Sequence, residues 1–128
     1  AGRLQVQDLP EAWDEKMRDY LGLSTLDNPK DGPMQDVHWP AGAFGYFPSY
    51  TLGAMMAAQQ FEAIKKLHPE VNSAIALGDF TAVNDWRHEN IWSAASMKST
   101  PQIMQDATGE PLNAAHFTAH LKERYGKN

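Results

Sequence analysis

Leu9, Trp13, Met17 and Leu21 recur every four residues, with Tyr20 alongside, and predict an amphipathic first helix. Asp8 is its expected N-cap, with Glu11 in capping-box position and Pro10 in the first turn. Gly22 is its expected stop. A second helix is expected from Pro48 to about Leu67. Its apolar positions (Leu52, Met55, Met56, Ala58, Phe61, Ile64, Leu67) cover more than half the circumference, which marks a central helix. Gly53, Ala57 and Ala58 are expected to admit close neighbours, and His68-Pro69 ends the segment. Shorter helices follow in the pattern. One runs from Pro69 to Leu77 before Gly78, and one from about Thr81 to Ser93 with Val83, Trp86 and Ile91 inward. Another is capped by Thr100 and stopped at Gly109. The last covers about Asn113 to Tyr125, with Ala114, Phe117, Leu121 and Tyr125 on one face. No stretch alternates convincingly as a strand. The expected fold class is all-α, bundle-like, with 1–128 as a single helical region.

Residues 23–47 break the helical period. Pro29, Pro33 and Pro40 and three glycines fall within them. A connection of this length without structure is either functional or disordered. Trp39, Phe44, Tyr46 and Phe47 argue against disorder. The segment is therefore expected to be a long functional loop.

Composition narrows the classes. At 42% hydrophobic and 21% charged residues, the chain falls in the ordinary globular range. The net charge of −5 argues against a nucleic-acid surface. There are no cysteines, which excludes a disulfide scaffold and cysteine-ligated zinc. No apolar run approaches membrane-span length and no signal peptide is visible, and the lack of cysteine fits a reducing compartment such as the cytoplasm.

Histidines carry the candidate chemistry, being the side chains that ordinarily titrate near neutrality. His116 and His120 stand four apart on one helix, a spacing zinc can use. Phe117 occupies the place where a metallopeptidase motif needs its glutamate, so they read as boundary histidines. His88-Glu89 fails as the same motif because Trp92 replaces the second histidine. His68 suits a helix C-terminus. His38 differs, since it sits in the long loop beside Asp36 and Trp39. Two uses are open from spacing alone. Asp36 can orient a working imidazole, or Asp36 and Gln35 can satisfy the loop backbone while Trp39 plugs the core. Tyr46 and Tyr50 flank the start of the second helix, where a phenol can donate to a developing oxyanion or simply pack. No glycine-rich phosphate loop, nucleophile elbow or complete metal site is present in the sequence.

Gly32-Pro33-Met34-Gln35-Asp36-Val37-His38-Trp39 resembles the G-x-x-Q-D-x-H-W signature of the M32 metallocarboxypeptidases, the carboxypeptidase Taq family. Gly45-Tyr46-Phe47-Pro48-Ser49-Tyr50-Thr51-Leu52-Gly53 resembles the segment that follows it. Asp8 to Trp13, with Tyr20-Leu21-Gly22, resembles the helix upstream, and Thr108-Gly109-Glu110-Pro111-Leu112-Asn113 with Arg124-Tyr125 the family's closing segment. The resemblance implies a mostly helical, zinc-dependent exopeptidase that frees single residues from peptide C-termini, typically as an intracellular homodimer. It implies also that this chain is the C-terminal part of such an enzyme. The H-E-x-x-H zinc site would then lie outside it, leaving it inactive alone and without a metal of its own. By position, His38 and Tyr50 are implied to hydrogen-bond substrate or tetrahedral intermediate. Tyr46 is implied to contact substrate, Asp36 to orient His38, and Gln35 to hold the loop. The implied partners are a peptide substrate, the N-terminal portion of the parent and a second copy, with neither nucleic acid nor membrane. A rival expectation is a stand-alone helical module that binds a peptide or protein through the aromatic loop.

Overall fold

The computed structural model describes residues 2–126. The α-helices of the described residues are, in order, α1 (Leu9–Leu21), α2 (Pro48–Leu67), α3 (Val71–Ala76), α4 (Thr81–Asn90), α5 (Thr100–Thr108) and α6 (Ala114–Tyr125). Single 3-10 turns occupy Val6–Asp8, Pro33–Gln35 and Trp92–Ala94. There is no strand among the described residues. The fold is all-α, as its patterning requires. Contacts group the chain into two compact units, 1–47 and 48–128.

In the first unit, α1 packs with the two 3-10 turns that flank it in sequence. Its stripe is only partly covered: Leu9, Trp13 and Met17 are half-buried, whereas Tyr20 and Leu21 are exposed. The fully buried residue of α1 is instead a carboxylate, Asp14. Asp8 does not cap α1 with its side chain. Its backbone is already helical, and its carboxylate accepts the Gln5 N–H at 3.0 Å, closing the preceding 3-10 turn. Gly22 ends the helix as expected, its N–H reaching the Arg18 carbonyl.

The second unit is built around α2, which meets each of α3, α4, α5 and α6. Ile64, Val71 and Trp86 form the buried cluster, with Phe61, Ile75, Val83 and Ile91 packed against it. Met104 of α5 is also fully buried. The inward positions foreseen on α4 are thus the ones used. That helix ends at Asn90, before Ser93. The Asn90 amide donates to the Trp86 carbonyl and the Ser93 hydroxyl to the Glu89 carbonyl, so side chains compete for the groups that would carry the helix on. The cap of α5 is Ser99, one residue before the expected Thr100. Ser99 is extended (φ −70°, ψ 155°) and its N–H donates to the Gln102 side chain at 2.9 Å. At Gly109 the backbone turns left-handed (φ 83°), which glycine adopts without strain. Asn113 caps α6 by accepting the Ala115 N–H. Gly53 admits no close neighbour, since a Cβ there would meet nothing within 4 Å.

Candidate functional site

The long loop is held by local hydrogen bonds rather than by a strand or helix. Asn28 exchanges bonds with Asp31, and the Gly32 and Met34 amides both donate to the Pro29 carbonyl. The 3-10 turn Pro33–Gln35 then delivers Asp36 in an extended conformation. Asp36 Oδ1 accepts two bonds from His38, from its backbone N–H at 2.8 Å and from its ring Nδ1 at 2.7 Å. Both side chains are largely covered, at 16% exposure for His38 and 9% for Asp36. A carboxylate only accepts, so this contact places the proton on Nδ1 and fixes the ring plane.

The next turn folds back on the imidazole. The Ala43 N–H donates to the His38 carbonyl at 2.8 Å, and Tyr46 N–H to the Ala43 carbonyl at 3.2 Å. Tyr46 thereby lays its ring against His38, 5.1 Å between centroids, and Phe47 meets the same imidazole edge-on at 5.4 Å. Asp36, His38 and Tyr46 are therefore gathered in one cluster of the first unit. Phe44, Tyr46 and Phe47 keep more than half of their surface exposed. Gln35 turns elsewhere, its amide donating to the Asp31 carbonyl at 3.0 Å. Tyr50 belongs to the second unit, in the first turn of α2, and is 59% exposed.

Two clasps were not legible as site features. Asp14 accepts at Oδ1 from the Ser24 hydroxyl (2.8 Å) and the Thr25 N–H (2.6 Å), and at Oδ2 from the Arg18 guanidinium. The Ser24 hydroxyl, then the Thr25 amide and Arg18, hold its pKa down to about 2 against the opposing effect of burial. The i,i+4 spacing of Asp14 and Arg18 was the available signal. The other clasp is Gln59, fully buried on α2. Its amide nitrogen donates to Thr108 Oγ1 and to the Glu110 and Pro111 carbonyls, while its oxygen accepts the Asn113 N–H at 2.8 Å. That fixes the turn before α6. On it, Glu110 accepts from the Asn113 amide at 2.9 Å and from His116 Nε2 at 2.7 Å, and these bonds, Asn113 first, lower the Glu110 pKa.

A groove of about 690 Å³ runs between α2 and α6. Ala57, Ala58, Phe61 and Phe117 line it together with His116 and His120. Tyr50 is not part of its wall. No three His, Asp or Glu side chains among the described residues are placed to hold a metal ion together. The paired histidines of α6 thus do not assemble a zinc centre, and His116 is engaged with Glu110. No helix among the described residues is long and apolar enough to cross a membrane.

Comparison with known proteins agrees with the all-α fold. Residues 1–125 match the family described as carboxypeptidase Taq (M32) metallopeptidase. Thermostable carboxypeptidase 1 of Thermus thermophilus is 43% identical over 97% of the chain, and carboxypeptidase 1 of Bacillus subtilis is 38% identical over 98%. Among solved structures, metallocarboxypeptidase 1 of Trypanosoma cruzi superposes with a TM-score of 0.94 at 44% identity, over 98% of the chain. The M32 carboxypeptidase of Deinococcus radiodurans gives 0.84 at 32% identity, also over 98%. The chain spans 24%, 25%, 26% and 25% of these four proteins, respectively. On the match of 125 of its residues, the chain belongs to the carboxypeptidase Taq (M32) family of metallopeptidases.

Proposed function

We propose that this chain is the C-terminal part of a zinc-dependent metallocarboxypeptidase that releases single amino acids from peptide C-termini. It contributes there a helical region, 1–128, to the wall of the substrate cleft. The metal and its ligands belong to the rest of the parent, so the chain alone is inactive and binds no stoichiometric zinc. The parent works in the cytoplasm as a homo-oligomer.

His38 and Tyr50 are the donors in this reading. Attack on a peptide carbonyl builds negative charge on its oxygen, and donors aimed at that oxygen lower the barrier. Asp36 keeps the His38 ring in one tautomer and orientation. Tyr46 flanks it as a substrate contact, and Gln35 steadies the loop beneath. The observation that carries the reading is the Asp36–His38 pair, built by 2.7 and 2.8 Å bonds inside the segment that resembles the family signature.

In the full-length enzyme, Tyr50→Phe is expected to lower kcat roughly a hundredfold, the usual effect of deleting one oxyanion donor. Unchanged turnover removes Tyr50 from the mechanism. The isolated 128-residue chain is expected to release no amino acid and to take up no equimolar zinc by calorimetry. Either activity or tight zinc binding by the isolated chain overturns the incomplete-site reading.

A further inference from the structure

We propose that Asp14, a residue of α1 remote in sequence from the loop's chemistry, is a positioning residue for the Asp36–His38 pair. The inference rests on the reading of His38 as a site residue. The path is continuous within the first unit. Asp14 Oδ1 grips Ser24 and the Thr25 amide at the mouth of the loop. The Thr25 carbonyl accepts the Asn28 N–H at 3.0 Å, and Asn28 in turn holds Asp31.

Thr25 also packs directly on Gly32, the residue that opens the turn Pro33–Gln35. A Cβ on Gly32 would stand 3.1 Å from the Thr25 Cβ, 3.2 Å from its Oγ1 and 3.1 Å from the Asn28 carbonyl oxygen. Any larger residue at 32 would press on Thr25 and on the Asn28 carbonyl, which would have to give by a few tenths of an ångström. Gly32 and Pro33 are the buried residues of the loop. From the Gly32 carbonyl, a 3.2 Å bond from the Gln35 amide closes the turn, and Asp36 follows at once. Asp36 then sets the His38 ring.

Why a carboxylate should be buried here follows from the same geometry. Arg18 is half in solvent and gives Asp14 its charge partner from the same helix. That leaves Oδ1 to accept from two consecutive loop residues at once. An apolar side chain would fill the space and hold nothing. Contiguity alone does not prove coupling, so the coupling itself must be measured.

The test is hydrogen exchange by mass spectrometry on the full-length protein, comparing Asp14→Leu, Asp14→Asn and Gly32→Ala. Asp14→Leu is expected to speed exchange in peptides covering 33–47 roughly tenfold or more. Peptides of α2 should exchange as before. Asp14→Asn keeps an oxygen for Ser24 and Thr25 but gives up the charge pair with Arg18, so it should loosen 33–47 less than Asp14→Leu does. Gly32→Ala breaks the path downstream of the clasp, so it should loosen 33–47 while α1 stays protected. It also decides the matter should Asp14→Leu unfold the whole first unit. Unchanged exchange over 33–47 in Asp14→Leu or in Gly32→Ala overturns the proposal. Loosening by Asp14→Asn equal to that by Asp14→Leu overturns it too, since the charge pair with Arg18 would then be the only support. Exchange is read without turnover, so a failure of the catalytic reading is seen separately, in Tyr50→Phe kinetics.

Discussion

Asp14 in the first unit and Gln59 in the second are each 1% exposed and each makes four side-chain bonds, of which two from Asp14 and three from Gln59 hold an irregular stretch of chain. They differ in charge and in surroundings. Gln59 is neutral, sits on a central helix and pins a short turn beside a core of Ile64, Val71 and Trp86. Asp14 is ionised, sits on a helix whose stripe is half covered, and pins the entrance of a 25-residue loop. A unit with an apolar core needs a polar clasp only to settle a turn. A unit with little core puts more of its order into hydrogen bonds, and those are what hold a loop open to solvent in one shape. The candidate site residues Asp36, His38 and Tyr46 lie in the unit organised the second way.

The comparison is tested first at the core of the second unit. Ile64→Ala removes a side chain from the buried cluster and is expected to cost about 2–5 kcal/mol, measured by urea unfolding. Gln59→Leu keeps much of the volume but leaves the Asn113 N–H and the Pro111 carbonyl without their partner, while the Glu110 carbonyl keeps the Thr108 hydroxyl. A loss of about 2–3 kcal/mol is expected, because buried polar groups left unpaired are costly. If Gln59→Leu is neutral, the clasp is ornamental in a well-cored unit, and the contrast with Asp14 grows sharper. If it costs more than Ile64→Ala, the division between core-held and bond-held units fails.

The helices of both units were legible because their period is local. Pro48, Gly22, Gly109 and the inward Val83, Trp86 and Ile91 declared themselves by spacing and by turn chemistry. The misplacements also have local causes. Asp8 had an alternative donor three residues upstream, and Ser99 competed with Thr100 for one cap. Within the site, the Asp36–His38 contact spans two residues and could be read directly. The clasps could not. Asp14 reaches 10 and 11 residues ahead, and Gln59 reaches some 50 residues ahead. Nothing in the periodicity of a helix says which of its polar residues turns inward to meet a loop. Likewise, the spacing of the α6 histidines, read as boundary residues, did not say that Glu110, six residues before His116, holds one ring.

Acid should separate the clasps without mutation. The Asp14 pKa lies near 2 in the fold, below the ordinary carboxylate value, so its ionised form stabilises the native state. That stabilisation is complete above about pH 4 and drains away as pH falls toward 2. The urea midpoint read at the Ser24 and Thr25 amide NMR signals should therefore drop across that window. In Asp14→Asn it should start lower and vary less with pH. Gln59 does not titrate, and the Asn113 amide signal should follow the second unit instead. A midpoint at Thr25 that is flat from pH 4 to 2 would show that the carboxylate's charge contributes nothing to the hold.

The smallest effect is expected at Glu110, the one titrating group on the turn that Gln59 pins. Its pKa is lowered by Asn113 and His116, so its contribution is present above the ordinary glutamate range and is lost as pH falls below it. The Glu110 side chain is 41% exposed, and a pair so open to water is screened by salt and adds little. Glu110→Gln keeps an acceptor for Asn113 while removing the charge facing His116. It should leave the neutral-pH urea midpoint of the second unit nearly unchanged and flatten its modest fall between pH 5 and 3. Added salt should shrink the parent protein's pH dependence toward that of the variant. A large, salt-insensitive loss in Glu110→Gln would mean that the turn before α6 is held by its charge as firmly as the loop entrance is by Asp14, and the two units would no longer differ in the way they order irregular chain.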